Sequence, residues 1–215
     1  MSGTVAWLPD APGTDRDLPV FGSNHPMREV TRNLAFGGAW TPERAAEVSG
    51  LFDSMASGWS ESHSVPARMA AIVDVLERGG VAPGPIVELG SGTGLATALL
   101  TKRGFDVVAL DLSLQMLVHA PPDAGRRVQG DSSMLPFPDD AAPAMLLVNM
   151  LLFPSEVDRI LAPGGALLWV NTLAEETPIH LPPEDVVAAL PGSWTAVAGR
   201  AGTGLWCVAR RTTVS

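Results

Sequence analysis

From Pro85 onward, short runs of apolar residues alternate with stretches whose apolar positions recur every three to four residues. The runs PIVELG, FDVVALDLS, RRVQGD, AMLLVNMLLF and ALLWVNTL read as strands, because apolar runs bounded by turn residues suit buried sheet positions. Between them LATALLTKRG, SLQMLVHA, SEVDRILAPGG and PPEDVVAAL read as helices, closed at Gly104 and at Pro163-Gly164-Gly165 and opened at Pro182-Pro183. The end, SWTAVAGRAGTGLWCVARR, reads as two strands joined through a Gly-rich turn. Upstream, Thr41-Pro42 opens a helix through ERAAEVSGLFDSMASG, with Thr as N-cap and Pro in the first turn. A second helix follows Ser64-Val65-Pro66. Its Met69, Ile72, Val73 and Leu76 fall at i, i+3, i+4 and i+7, and Gly79-Gly80 ends it. Residues 1–38 are rich in Pro, Gly, Asp and Asn and predict a flexible or wrapping arm, with LPVF and Trp7-Leu8 as docking points.

Apolar strands separated by helices predict a parallel sheet covered on both faces. The last two strands have no helix between them and predict an antiparallel hairpin. The expected architecture is α/β: a doubly wound, seven-stranded, mostly parallel sheet with an antiparallel last strand. Residues 39–215 form one domain, with N-terminal helices in 39–80 and an α/β core in 85–215. In such sheets ligands bind beyond the carboxyl ends of the strands, beside the first strand, so chemistry is expected in the loops that follow them.

Composition narrows the partners. The chain has 215 residues, 46% hydrophobic and 17% charged, enough for one sizeable core. No stretch approaches roughly 18 uncharged apolar residues, so no membrane span is expected, and the first residues do not read as a signal peptide. The formal net charge of -9 argues against a nucleic-acid partner, since phosphate binding needs clustered Lys and Arg. A single cysteine, Cys207, cannot form an internal disulfide and points to a reduced, cytoplasmic setting. Oligomeric state has no signature in the sequence.

Candidate chemistry concentrates at PIVELGSGTGLAT, where Gly90, Gly92 and Gly94 alternate with Ser91 and Thr93 between a strand and a helix. Without a Cβ, a cofactor can lie against the backbone there. Two cofactors compete. The dinucleotide fingerprint wants a small residue at position 95, which is Leu. Glu88, read as facing the cleft, would repel a pyrophosphate and suit the ammonium and sulfonium of S-adenosylmethionine. Asp111 closes the second strand and can accept from two ribose hydroxyls, which fits either cofactor. Asp131, after the third strand, is placed for the exocyclic amine of adenine with the Ser132 N–H near the ring, and Leu112 and Met116 offer apolar surface beside it.

VELGSGTG, ALDLSLQML, GDSSMLPFPDD and RILAPGGALLWVN, in that order, resemble the motifs of the class I S-adenosylmethionine-dependent methyltransferases, in particular the small-molecule, ubiquinone/menaquinone-biosynthesis type. FDSMASGW resembles that group's upstream motif, so the resemblance covers roughly residues 50–172. It implies a Rossmann-like fold and S-adenosylmethionine as cofactor. Glu88, Gly90, Gly92 and Gly94 would hold the methionine part, Asp111 the ribose, and Asp131 with Ser132 the adenine. Leu112 and Met116 would flank the base, Asn149 would lie near the methionine end, and Trp59 and Ser60 near the entrance. The Asn-Pro-Pro-aromatic tetrapeptide of the DNA and glutamine methyltransferases is missing from VNMLLF, so a small-molecule methyl acceptor is expected.

Methyl transfer is an in-line displacement that draws largely on proximity and orientation; a base is needed only when the nucleophile holds its proton tightly. The first candidate base is His180, on the loop after the fifth strand, where an imidazole of ordinary pKa would serve; the second is His63, between the two N-terminal helices. No metal site is expected. Two rival functions remain open: an NAD-dependent oxidoreductase, disfavoured by Glu88 and Leu95, and a cofactor-binding protein that transfers nothing.

Overall fold

The computed structural model describes residues 3–18, 20, 22 and 24–212. The elements in chain order are β1 (Thr4–Trp7), α1 (Met27–Ala35), α2 (Pro42–His63), α3 (Pro66–Arg78), β2 (Pro85–Leu89), α4 (Leu95–Lys102), β3 (Asp106–Asp111), α5 (Leu114–His119), β4 (Arg126–Gln129), β5 (Ala142–Val148), α6 (Pro154–Ile160), β6 (Leu161–Asn171), a 3-10 turn (Ala174–Glu176), α7 (Pro183–Ala189), β7 (Trp194–Ala201) and β8 (Gly204–Arg211). The strands form one sheet in the order β1-β7-β8-β6-β5-β2-β3-β4. Every neighbouring pair is parallel except β6–β8 and β7–β8, so β8 alone is reversed, inserted between β6 and β7.

Alternation along the strands divides the core in two. Val87, Leu89, Met145, Leu147 and Trp169 face one side, with α6 and α7; Ile86, Leu146, Leu168 and Val170 face the other, with α3 and α4. The expected sheet therefore holds, with one strand more. Inside residues 1–38, expected as an irregular arm, β1 pairs in parallel with the outer side of β7, and α1 packs Ala35 into the first cluster. Both elements carry weak sequence signals: β1 has four residues and only one paired edge, and the N-cap of α1 is Pro26, which makes no side-chain cap. Of the LPVF segment, Pro19 and Phe21 lie outside the described residues.

Three boundaries move. Helix α2 runs on past Gly58 to His63. The strand expected through Phe153 stops at Val148, because Asn149 takes a left-handed φ of 47° and turns the chain. The Pro-Gly-Gly expected to end a helix lies within β6, since α6 already ends at Ile160. On α3 the buried face is Ala71, Ile72, Asp74 and Val75, whereas Met69, Val73 and Leu76 are only half-buried. Asp74 is drawn in because it accepts from the indole N–H of Trp206 (2.6 Å) and pairs with Arg78. Among the described residues no helix is long and apolar enough to cross a membrane, and no cluster of His, Cys, Asp and Glu could hold a metal ion.

Candidate active site

The carboxyl ends of β2, β3, β4 and β5 meet at one edge of the sheet, and the loops leaving them carry most of the residues singled out above. After β2 the chain makes a tight, left-handed sequence of turns: Gly90, Gly92 and Gly94 have φ of 67°, 55° and 79°. L residues with a Cβ rarely adopt such angles, which is why three glycines stand there. A Cβ on Gly90 would meet Met150 Sδ at 2.5 Å, and one on Gly94 would meet Ala124 Cβ at 3.0 Å. A Cβ on Gly92 would meet only Trp59 Nε1, at 3.6 Å, so this backbone is covered by a side chain of α2 rather than by the core.

Asp111 fastens the loop. Its Oδ2 accepts from the Gly92 N–H (2.7 Å) and its Oδ1 from the Ser113 N–H (2.8 Å), so one carboxylate joins the ends of β2 and β3. Burial raises its pKa, opposed by those backbone hydrogen bonds. Each oxygen keeps a further lone pair for an incoming hydroxyl. Ser91 is buried, and its Oγ is the one buried side-chain N or O atom without a hydrogen-bond partner among the described residues. A buried orphan hydroxyl costs stability unless something satisfies it. Together with a glycine cradle that a Cβ would fill, it fits a loop shaped to receive a polar ligand group.

Glu88 does not face the cleft. On β2 it shares a side with Ile86, beneath α4, and is 1% exposed. Its Oε2 accepts from Thr97 Oγ1 of α4 (2.6 Å). Burial, with Asp111 nearby, pushes its pKa up to about 8, so the side chain is largely protonated at neutral pH and cannot offer a full charge to a cationic ligand. The period-two alternation of the strand is the physical reason.

Helix α2 lies across these loops, tied at three points. Ser49 Oγ donates to the Leu112 carbonyl (3.4 Å); Asp53 accepts from Ser113 Oγ (2.5 Å) and the Gln115 N–H (3.1 Å); Ser60 and Thr93 share a hydrogen bond of 2.8 Å. Asp53 was legible only as a letter of FDSMASGW. Its role as a cap on the first turn of α5 needs the tertiary contact. Leu112 is half-buried, but Met116, expected to offer surface beside a base, is fully buried.

Asp131 and the buried Ser132 follow β4. Asp131 accepts from the Ser133 N–H (2.8 Å) and from the indole N–H of Trp40. The loop is braced from α6, where Glu156 accepts from the Leu135 N–H (2.6 Å) and Arg159 donates to the carbonyls of Leu135 and Phe137. Asn149 ties its amide to the neighbouring strand end: Nδ2 donates to Thr172 Oγ1 (2.8 Å) and Oδ1 accepts from the Thr172 N–H (2.9 Å).

The two histidines differ sharply. His180, expected as a base of ordinary pKa, is 5% exposed, and burial with the charges of Arg28 and Arg200 lowers its pKa to about 4. Its Nδ1 sits 2.9 Å from Asn171 Oδ1, which also accepts from Trp169. His180 is thus a neutral part of the packing behind β6, and the expectation of a near-neutral base there is corrected by desolvation. His63, at the end of α2, stacks on Trp59 with ring centroids 3.8 Å apart. Its Nδ1 lies 3.0 Å from the Trp59 carbonyl oxygen and 2.8 Å from Ser62 Oγ; in the tautomer in which Nδ1 donates to that carbonyl, Nε2 keeps its lone pair. Partial burial lowers its pKa. Through Trp59 it stands next to Gly92.

A glycine loop after the first parallel strand of the core, fastened by an acid after the second, is the arrangement found at the ligand end of Rossmann-like sheets. Residues 87–169 match the sequence model of the methyltransferase domain. Among curated proteins, the biotin biosynthesis bifunctional protein BioHC of Cellvibrio japonicus is 33% identical over 45% of this chain and 21% of its own length. A demethylmenaquinone methyltransferase of Mycobacterium bovis is 34% identical over 41% of each chain. The chain therefore spans less than half the length of these two relatives. Among solved structures, the DhpI–SAH complex superposes with a TM-score of 0.65 at 22% identity, covering 81% of this chain and 100% of the other, a likeness of fold. The likeness of residues 87–169 is thus to the methyltransferase domain, and the fold is shared with a structure solved in complex with SAH.

Proposed function

We propose that this chain is a methyltransferase that moves a methyl group from S-adenosylmethionine to an O, N or C atom of a small-molecule metabolite. One observation carries the reading: the left-handed glycine loop is pinned to Asp111 and holds the orphan hydroxyl of Ser91. The backbone at Gly90, Ser91, Gly92 and Gly94 would receive the methionine part. Asp111 would accept from the ribose hydroxyls with its remaining lone pairs, and Asp131 with Ser132 would meet the adenine. Leu112 would lie against the ring with Met116 packed behind it. Asn149, committed to Thr172, would shape the wall near the methionine end, and Trp59 would roof Gly92. Glu88 becomes a positioning residue, tying β2 to α4 at both ends of the loop.

The cofactor supplies an electrophilic methyl on a sulfonium with a neutral thioether leaving group. What the chain contributes is orientation under α2 and exclusion of water by Trp59 and its neighbours. For an acceptor that keeps its proton, such as a phenol, His63 Nε2 is the base, taking the proton as the acceptor oxygen bonds to carbon. The net charge of -9 and the absence of clustered cations favour a small acceptor over nucleic acid, and the free, buried Cys207 accords with a reducing cytoplasm.

The test is turnover: purified protein with S-adenosylmethionine and a panel of phenols, amines and activated carbon acids, read as S-adenosylhomocysteine formed and as a product heavier by one CH2. Tight cofactor binding without turnover on the panel or on small-molecule extract would favour the second reading, a cofactor-binding protein that transfers nothing.

A further inference from the structure

Trp40 sits between the end of α1 and the N-cap of α2. Its indole Nε1 donates to both oxygens of Asp131, at 3.2 and 2.9 Å, while its ring meets Phe153 edge-on with centroids 5.4 Å apart. A donor shared between both oxygens lies along the open edge of the carboxylate; the Ser133 N–H already holds Oδ1 from the loop side (2.8 Å). That open edge is one an exocyclic amine can use, and an indole N–H is a donor of the same kind, neutral and attached to an aromatic ring.

We infer that Trp40 is an internal competitor for the adenine-binding carboxylate, so that its indole sets cofactor affinity by holding Asp131 against the adenine amine. The inference rests on the assignment of Asp131 to adenine made above. The chain around Trp40 allows exchange without unwinding a helix. α1 ends at Ala35, α2 begins at Pro42, and Gly37 between them has a φ of 93° with no atom within 4 Å of a Cβ built on it. Beside it lies a cavity of about 420 Å³ whose walls include Gly37, Gly38, Trp40, Ser133, Phe153 and Pro154, which leaves space next to the indole.

The experiment is calorimetric titration of the full chain and of Trp40→Phe, Asp131→Asn and the double variant. Each is titrated with S-adenosylhomocysteine and with S-inosylhomocysteine, whose ring bears a carbonyl in place of the amine. Phe keeps the edge contact with Phe153 and removes only the competing donor. Trp40→Phe should bind S-adenosylhomocysteine roughly tenfold tighter, the scale of one hydrogen bond to a charged group, with no gain for the inosyl analogue and none in the Asp131→Asn background. Weaker or unchanged binding in Trp40→Phe, with Asp131→Asn still impaired, would overturn the competition and leave the adenine assignment standing. An equal gain for both ligands would also overturn it, by making Trp40 a steric wall. Unchanged affinity in Asp131→Asn would overturn the assignment and the inference together. Trp40→Leu, checked like the others for native circular dichroism, repeats the test if the Phe variant folds poorly.

Discussion

At the residue scale, burial decides which titratable groups serve the site. Glu88 has a folded pKa of about 8 against an ordinary 4.5, so the folded chain keeps a proton that the unfolded chain releases. Its contribution to stability is full below about pH 4.5 and is lost as pH rises through about 8. Glu88→Gln keeps the shape and removes the titration. The melting temperature of the variant relative to wild type should therefore climb by roughly 4 °C or more between about pH 5 and pH 8.5; a constant difference would contradict the buried, protonated acid. The histidines separate in kinetics. With a phenolic acceptor, His63→Ala should lower kcat by about a hundredfold or more and His180→Ala should mainly lower stability. His180, with a folded pKa of about 4 against 6.5, contributes stability above pH 6.5 that is lost as pH falls through 4. Asp111 was legible in the sequence because an acid after an apolar run ends a strand at the ligand edge. The protonation of Glu88 and the burial of His180 were not, because desolvation is a property of what packs around a group.

At the scale of elements, the strand-loop-helix around Gly90–Gly94 does most of the work, and its spacing alone announced it. The face of Glu88 was also within reach of the sequence: counting by two from Ile86 puts it beneath α4, a step hidden by treating PIVELG as apolar throughout. Gly92 separates folding from binding. Alanine there adopts a left-handed φ at a cost of about 1–2 kcal/mol, and its Cβ points to Trp59 and into no core. Gly92→Ala should thus lower the melting temperature by only a few degrees, roughly 2–8 °C, while S-adenosylhomocysteine affinity falls more than tenfold, as far as calorimetry can follow. An unchanged affinity would remove the loop from the site. The three ties of α2 and the Trp40–Asp131 bond join residues far apart in the chain, and no periodicity marks them. β1 escaped notice for a related reason: a four-residue edge strand is made by its partner β7 more than by its own letters.

At the scale of the molecule, the sheet order places β2 beside both β3 and β5, so the chain reverses its direction of winding there, the point at which open α/β sheets hold a ligand in a crevice at the carboxyl ends of their strands. The alternation of strands and helices foretold that switch point, and β8 is the expected reversed strand, set between β6 and β7. The central claim is that this crevice receives S-adenosylmethionine, with Asp111 as the anchor of both loop and ribose. The most direct measurement is calorimetric titration of wild type and Asp111→Ala with S-adenosylhomocysteine and NADH in parallel. Micromolar binding of S-adenosylhomocysteine to wild type, its loss in a variant that keeps native circular dichroism, and silence with NADH are predicted. Binding of NADH alone, or equal affinity of S-adenosylhomocysteine for both proteins, would contradict the account.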